Sequence, residues 1–363
     1  MLVAMRLLQG IGGAATLSIA PAILRSIFPN RLLGRILGVN ALLIATNTAI
    51  APVIGGALLS AVGWTWLFAI NLPLGMVSLL LALRTLPDAR TATTGPFDFA
   101  GAVWSAMMLG AVIMASNAFS HAGSQNTRAL VTAGIYGGVA IIAGLLFVRR
   151  QQRAPQPLLP LTLFASVRFS LAALTSLASF VSQGMTFVAL PFLFQSVYGY
   201  SAFTSALLFT AWPVGIILAA PHAGRLADRH SPALISTVGL GVFTVGLILL
   251  ALLPDHAQWW DISLRALVCG LGFGAFQSPN NREMLASASR ENSSYAAGVL
   301  AIMRTVGQCL GTALVGVILS VYASSGLLTG QEHAVRFTLW LAAAATLLSI
   351  AFSISRLKSA MQK

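Results

Sequence analysis

Two arginines in this chain sit where a positive charge is costly. Arg6, with Gln9 less than a turn away, and Arg304, with Gln308 one turn on, both fall inside long apolar runs. At mid-membrane an arginine costs at least about 2.5 kcal/mol, so each is a candidate for function. The competing reading is structural: Arg6 bonded to carbonyls of a neighbouring helix, Arg304 locking helix packing. Amides and an indole form a second group, Gln183, Trp212, Gln277, Asn280 and Asn281. An amide in hydrocarbon needs a partner, and Gln277 and Asn281, four apart, share one helical face. With Phe180, Met185, Phe187 and Phe276 they suit a cavity for an amphipathic organic molecule, soft walls adapting while amides and Arg304 orient it. Any single one of these side chains also fits a plain core or lipid-facing position.

Other chemistries are poorly served. All eight acids and all five histidines fall in loops or at the ends of apolar runs. Cys269 and Cys309 lie in apolar segments without metal-ligand spacing and read as packing residues, so no metal and no cofactor is implied. Neither HExxH nor GxSxG occurs, and an enzyme is not expected.

The elements that would position these residues are membrane spans. Of 363 residues, 57% are hydrophobic and 8% charged, against about 25% charged in an average soluble domain. Apolar runs predict eleven transmembrane helices, at 2–27, 36–61, 66–84, 99–118, 129–148, 169–195, 204–222, 233–253, 263–282, 296–321 and 336–355. The fold class is therefore all-α and polytopic. Numbering the loops alternately places sixteen basic residues on one side and only Arg128 and Arg336 on the other. That bias predicts a cytoplasmic C-terminus, so the net charge of +13 faces lipid headgroups and cytoplasm, not nucleic acid.

One stretch, Gly38 to Ser60, carries Asn47, Ala51, Pro52, Gly55 and Gly56. Asn47, Ala51 and Gly55 recur every four residues and leave one face almost without bulk, which suits close helix approach in lipid. Pro52 removes an amide hydrogen and frees the carbonyl of Thr48, so the helix is expected to bend. The stretch recurs without a gap at Gly298 to Ser320, with six of 23 positions identical and with Gly307 and Gly311 at the places of Asn47 and Ala51. Internal repeats of this kind are common in transporters.

Together these residues resemble the major facilitator superfamily, in its fourteen-helix drug:proton antiporter subgroup. Leu2, Arg6, Gln9, Gly10, Gly12, Gly13 and Ala14 are similar to the family's fourth-helix motif, L-x3-R-x2-QG-x-GGA. Asn47 to Gly56 resembles the fifth-helix antiporter motif G-x3-GP-x2-GG, with Asn47 and Ala51 in place of its first two glycines. Gly63, Trp64, Trp66, Phe68, Asn71, Pro73 and Gly75 follow GW-x-W-x-F-x2-N-x-P-x-G. Gly224, Leu226, Ala227, Asp228 and Arg229 resemble G-x-LADR-x-GRR, whose end Ser231 and Pro232 break.

The resemblance implies an MFS-type bundle that exports small amphipathic compounds by alternating access, as a monomer in the plasma (bacterial inner) membrane. It implies that Arg6 and Gln9 relay protons or couple helices, that 47–56 is a hinge, and that Gly224, Asp228 and Arg229 latch a cytoplasmic gate. By register the Gly38 helix is the fifth of its half, yet one span precedes it. Three leading helices are therefore expected to be missing. The division becomes 1–84 as the remainder of the N-terminal half, 85–168 as two inserted helices with their linkers, and 169–363 as a six-helix C-terminal half. Proton coupling needs an embedded titratable group, and the eight acids supply none within a span. A transport-inactive fragment is the alternative.

Overall fold

The structure, a computed structural model, describes residues 2–63, 65–86, 98–120, 127–155, 157–159, 161–254, 257–289, 292–323 and 330–361. Each of the eleven apolar runs lies on helix: α1 (Leu2–Ile27), α2 (Leu33–Ala61), α3 (Trp66–Ala69) with α4 (Asn71–Thr85), α5 (Phe99–Ser120), α6 (Thr127–Arg153), α7 (Val167–Phe192), α8 (Ala202–Arg229), α9 (Pro232–Ala251), α10 (Trp259–Ser287), α11 (Ser293–Ala323) and α12 (Gly330–Met361). The third run is broken between α3 and α4, where the Asn71 side chain donates to the carbonyls of Leu67 and Phe68. Gly63, before the break, has φ +88°, a left-handed turn that glycine adopts without strain.

Ten of the described helical segments are long and apolar enough to cross a membrane. The helix that falls short is α10, whose hydropathy Arg265 and the polar run Gln277 to Asn281 lower. It is also among the best enclosed, packed between α8 and α9 and touching α2 and α7. A helix wrapped by protein need not be apolar all round.

The last six spans form the core. α7 is its hub, with α11 and α12 against it and α10 behind, and its polar stripe is buried: Thr175, Ser176, Ser179, Ser182, Gln183 and Thr186. Every one of these finds a hydrogen-bond partner. Ser179 meets Ser349 at 2.7 Å, Ser182 accepts from Thr346 at 2.9 Å, and Ser349 also donates to the Thr175 carbonyl at 2.9 Å. Gln183 and Ser176 accept from Gln308 and Asn280, while Thr186 bonds back to the carbonyl of Ser182.

Glycines set the crossings. A Cβ at Gly307 would stand 2.8 Å from the Leu177 carbonyl oxygen, and one at Gly184 would stand 2.5 Å from that of Gln308. α7 and α11 therefore touch backbone to backbone.

α5 and α6 form a hairpin set against α11. Asp98 closes its foot: it accepts from the Gly101 amide at 3.1 Å, pairs with Arg150 at 2.9 Å, and accepts from Gln151 at 3.2 Å. The Gly101 amide first, then Arg150 and Gln151, hold its carboxyl below the ordinary carboxylate range, against the opposing effect of burial. At the other extreme, no described residue of α4 is buried.

Candidate functional site

α2 joins the first helices to the core, and its contact with α8 decides the site's shape. The contact stripe is Gly34, Gly38, Ala41 and Ala45. A Cβ at Gly38 would lie 2.6 Å from the Ala220 carbonyl oxygen, and Gly34 and Gly224 meet backbone to backbone. The small face expected from the sequence lies further along. Asn47 and Ala51 are exposed, and a Cβ at Gly55 would come no nearer than 4.0 Å to Leu67. The surroundings of Pro52 and Gly56 lie outside the described residues. The counterpart stripe on α11 is packed on α7, whereas no described helix covers Asn47 and Ala51.

Two sets of contacts tie helix ends together at the arginine-rich end. Asp228, at the end of α8, accepts from the amides of Gly34 and Arg35, both at 2.8 Å, and pairs with Arg282 of α10 at 2.9 Å. A carboxylate at two orphan amides of a helix start is favoured by their geometry and by the helix dipole. Gly224, one turn before, allows the approach. Arg229 is exposed and lines a groove of about 1220 Å³ together with Arg31, Arg35, Arg225, Asp228, Leu234 and Val238. The second clasp was not foreseen: Arg25, the last-turn arginine of α1, is buried and donates to the carbonyls of Leu285 and Ala288 at the end of α10. In the sequence it counts only as one more basic residue beside a loop.

Beside the stretch of α2 from Leu37 to Thr48 lie two adjoining chambers of a cavity. A small recess of about 50 Å³ is lined by Thr48, Gln183, Phe187, Trp212, Phe273 and Gln308 among others. A wider chamber of about 840 Å³ runs between α1, α2 and α4 on one side and α10 and α11 on the other, with Gln9, Asn40, Asn71 and Asn281 on its wall. Ala41, Ile44, Gln277 and Arg304 line both.

Arg304 therefore stands at the junction, its guanidinium 5.9 Å from the Phe180 ring. Gln308 donates to Gln183 across the α7–α11 crossing at 3.0 Å. Trp212 is fully buried among Phe187, Phe243 and Phe273, with ring centroids 5.4, 5.5 and 6.3 Å away, and its indole N–H has no acceptor.

Asn280 is not brought to this cavity. Its amide donates to Ser176 at 2.7 Å and its oxygen accepts from Arg356 at 2.7 Å. Arg356, fully buried, also donates to Ser236 and Ser353 and lies 3.3 Å from Glu283. This cluster ties α7, α9, α10 and α12 together. Arg6 is also apart from the junction: it is exposed, donates to Gln9 at 3.0 Å and lies 4.3 Å over the Phe68 ring. Gln9 alone of that pair lines the wide chamber.

The geometry is that of a clasped bundle with a polar-floored cavity between its parts. Comparison with known proteins gives the family: the Major Facilitator Superfamily profile matches residues 1–312 and 173–360. This chain belongs to the major facilitator superfamily. It is thus a multi-pass membrane protein of a transporter family, not an enzyme, and its family handles small molecules within a membrane. Among similar proteins, the uncharacterized transporter YebQ of Escherichia coli (strain K12) is 41% identical over 90% of this chain and 70% of its own length. The riboflavin transporter RibZ of Clostridioides difficile is 28% identical over 86% of this chain and 66% of its own. The multidrug efflux pump LfrA of Mycolicibacterium smegmatis is 28% identical over 90% and 64%. The chain spans about two thirds of the length of these relatives.

Proposed function

We propose that this chain is an exporter of small amphipathic organic compounds, of the fourteen-helix drug:proton antiporter type, working by alternating access as a monomer in the bacterial inner membrane. The observation that carries the reading is the cavity at Arg304 between α1, α2 and α4 and the packed core, with Asp228 and Arg25 tying helix ends together at the arginine-rich end. Alternating access needs a site reached from one side at a time, and clasps on helix ends can break and re-form without disturbing either packed body. Gln183, Trp212, Gln277, Asn281 and Arg304 are the proposed substrate contacts, and Gly224, Asp228 and Arg229 the gate. Asn280 is proposed instead as a strut. Arg6 and Gln9 are proposed to couple helices at the opposite end, with Asn47, Ala51, Pro52, Gly55 and Gly56 as a hinge. The α5–α6 hairpin, within 85–168, is proposed as an inserted pair between 1–84 and the 169–363 half. LfrA, an efflux pump by name, supports the direction of transport.

The bare faces of α4 and of Asn47 and Ala51 favour a second reading, a bundle that folds and inserts but moves no solute. One experiment separates the two. Purified chain in proteoliposomes with an imposed pH gradient is offered a panel of amphipathic dyes, with an entrapped pH indicator reporting proton flow. Dye accumulation that stops when an ionophore collapses the gradient is expected. Dye movement equal to that of empty vesicles would support the inactive reading.

A further inference from the structure

We propose that the compound held in this cavity is an organic anion, with Arg304 as its counter-ion. The inference rests on reading the cavity as the substrate site. Among the described residues, no acidic side chain lines either chamber. The described acids are all spoken for elsewhere: Asp98 by Arg150, Asp228 by Arg282, Asp261 by Arg265, Glu332 by Arg336 and Glu283 by Arg356. Among the described residues Arg304 has no acidic partner, and the face of Phe180 lies 5.9 Å from its guanidinium. A guanidinium offers five donors in a planar fork and is not readily neutralised, so at membrane depth it calls for oxygen acceptors.

Trp212 and Gln183 add donors beside it, while the acceptors that the described lining amides offer, those of Gln277, Asn281 and Gln308, are neutral. The Trp212 indole N–H is buried and unmatched, and Gln183 has already used its amide oxygen on Gln308, which leaves its NH2 to donate. A carboxylate, sulfonate or phenolate supplies the missing acceptors. Phe187, Trp212 and Phe273, which line the small recess, offer aromatic surface to an aromatic body. A cationic compound would meet a like charge with nothing to offset it, so the same residue selects against it.

The test compares two dyes with one skeleton, anionic 8-anilinonaphthalene-1-sulfonate and neutral N-phenyl-1-naphthylamine, binding to the full chain in nanodiscs of uncharged lipid, with empty nanodiscs subtracted. The wild-type protein should bind the sulfonate about tenfold or more tightly than the neutral dye, the size expected of a charge-assisted hydrogen bond. Arg304→Gln should abolish that preference, and Arg304→Lys should restore part of it. Equal affinities in the wild-type protein, or a preference that survives Arg304→Gln, overturns the inference and leaves the cavity reading standing. Binding of neither dye above empty nanodiscs overturns both. Should Arg304→Gln not fold, the wild-type comparison decides alone.

Discussion

The buried polar side chains divide between holding the bundle and facing the cavity, and sequence neighbours take opposite parts. Gln277 and Asn281 line the cavity, while Asn280 between them turns to Arg356 and Ser176. Asn280→Ala leaves the Arg356 guanidinium and the Ser176 hydroxyl short of a partner, each at about 1–3 kcal/mol. The thermal unfolding temperature in detergent should fall, with dye affinity in the surviving protein unchanged. A loss of affinity without a loss of stability would return Asn280 to the substrate site. Asp228→Asn keeps the shape but removes the charge that faces two helix-start amides and Arg282. In a background with Cys269 and Cys309 replaced by Ser, maleimide labelling of Ala41→Cys from the arginine-rich side should speed up several-fold. An unchanged rate would mean that the clasp is no gate. The amides and embedded arginines stood out in the sequence because polar groups in apolar runs are rare. Which way each one faced did not, since adjacent helical positions differ by about 100° and the partners lie over 100 residues away.

At the scale of helices, all eleven apolar runs lie on helix, ten of them apolar enough to cross a membrane, and were legible because hydropathy over about twenty residues is a strong signal. Their contacts were not. Small residues every four positions marked Asn47, Ala51 and Gly55, yet the stripe against α8 is Gly34, Gly38, Ala41 and Ala45. Both stripes are equally small, and which one is covered depends on the neighbour, which the stripe itself does not encode. Gly38→Leu should drive α2 off α8, because the nearest obstacles are the backbone atoms of Ala220 and Pro221. Overpacking of this kind costs about 1–3 kcal/mol or more. Asn47→Leu should leave stability within about 0.5 kcal/mol. The check is thermal unfolding of both variants side by side, and similar losses would show that the two faces are equally packed. Arg25 and Arg356 were hidden for a different reason. Both stand in basic runs beside loops, and α12 continues past the apolar limit at 355, carrying Arg356 into the core.

For the whole molecule, the eleven spans expected from the sequence would put the two ends of this chain on opposite sides of the membrane. The sixteen-to-two distribution of basic residues predicts that the C-terminus is the cytoplasmic one. A green fluorescent protein fused after Lys363 should fluoresce, and alkaline phosphatase at the same place should be inactive. The reverse pattern would invert the sidedness assigned to both clasps. The overall class was readable because the repeat, the charge bias and the motif order agree. The arrangement of parts was not, because it depends on contacts between helices far apart in sequence.

The hub helix has one more implication, for how the chain is made. Ser176, Gln183, Ser182 and the Thr175 carbonyl find partners 104, 125, 164 and 174 residues downstream. When α7 leaves the ribosome, none of those partners has been synthesised. Its hydroxyl and amide stripe must wait at the insertion machinery, or in its polar surroundings, until α10 to α12 arrive, so any slowing of translation over α8 to α12 should prolong its exposure to quality-control proteases.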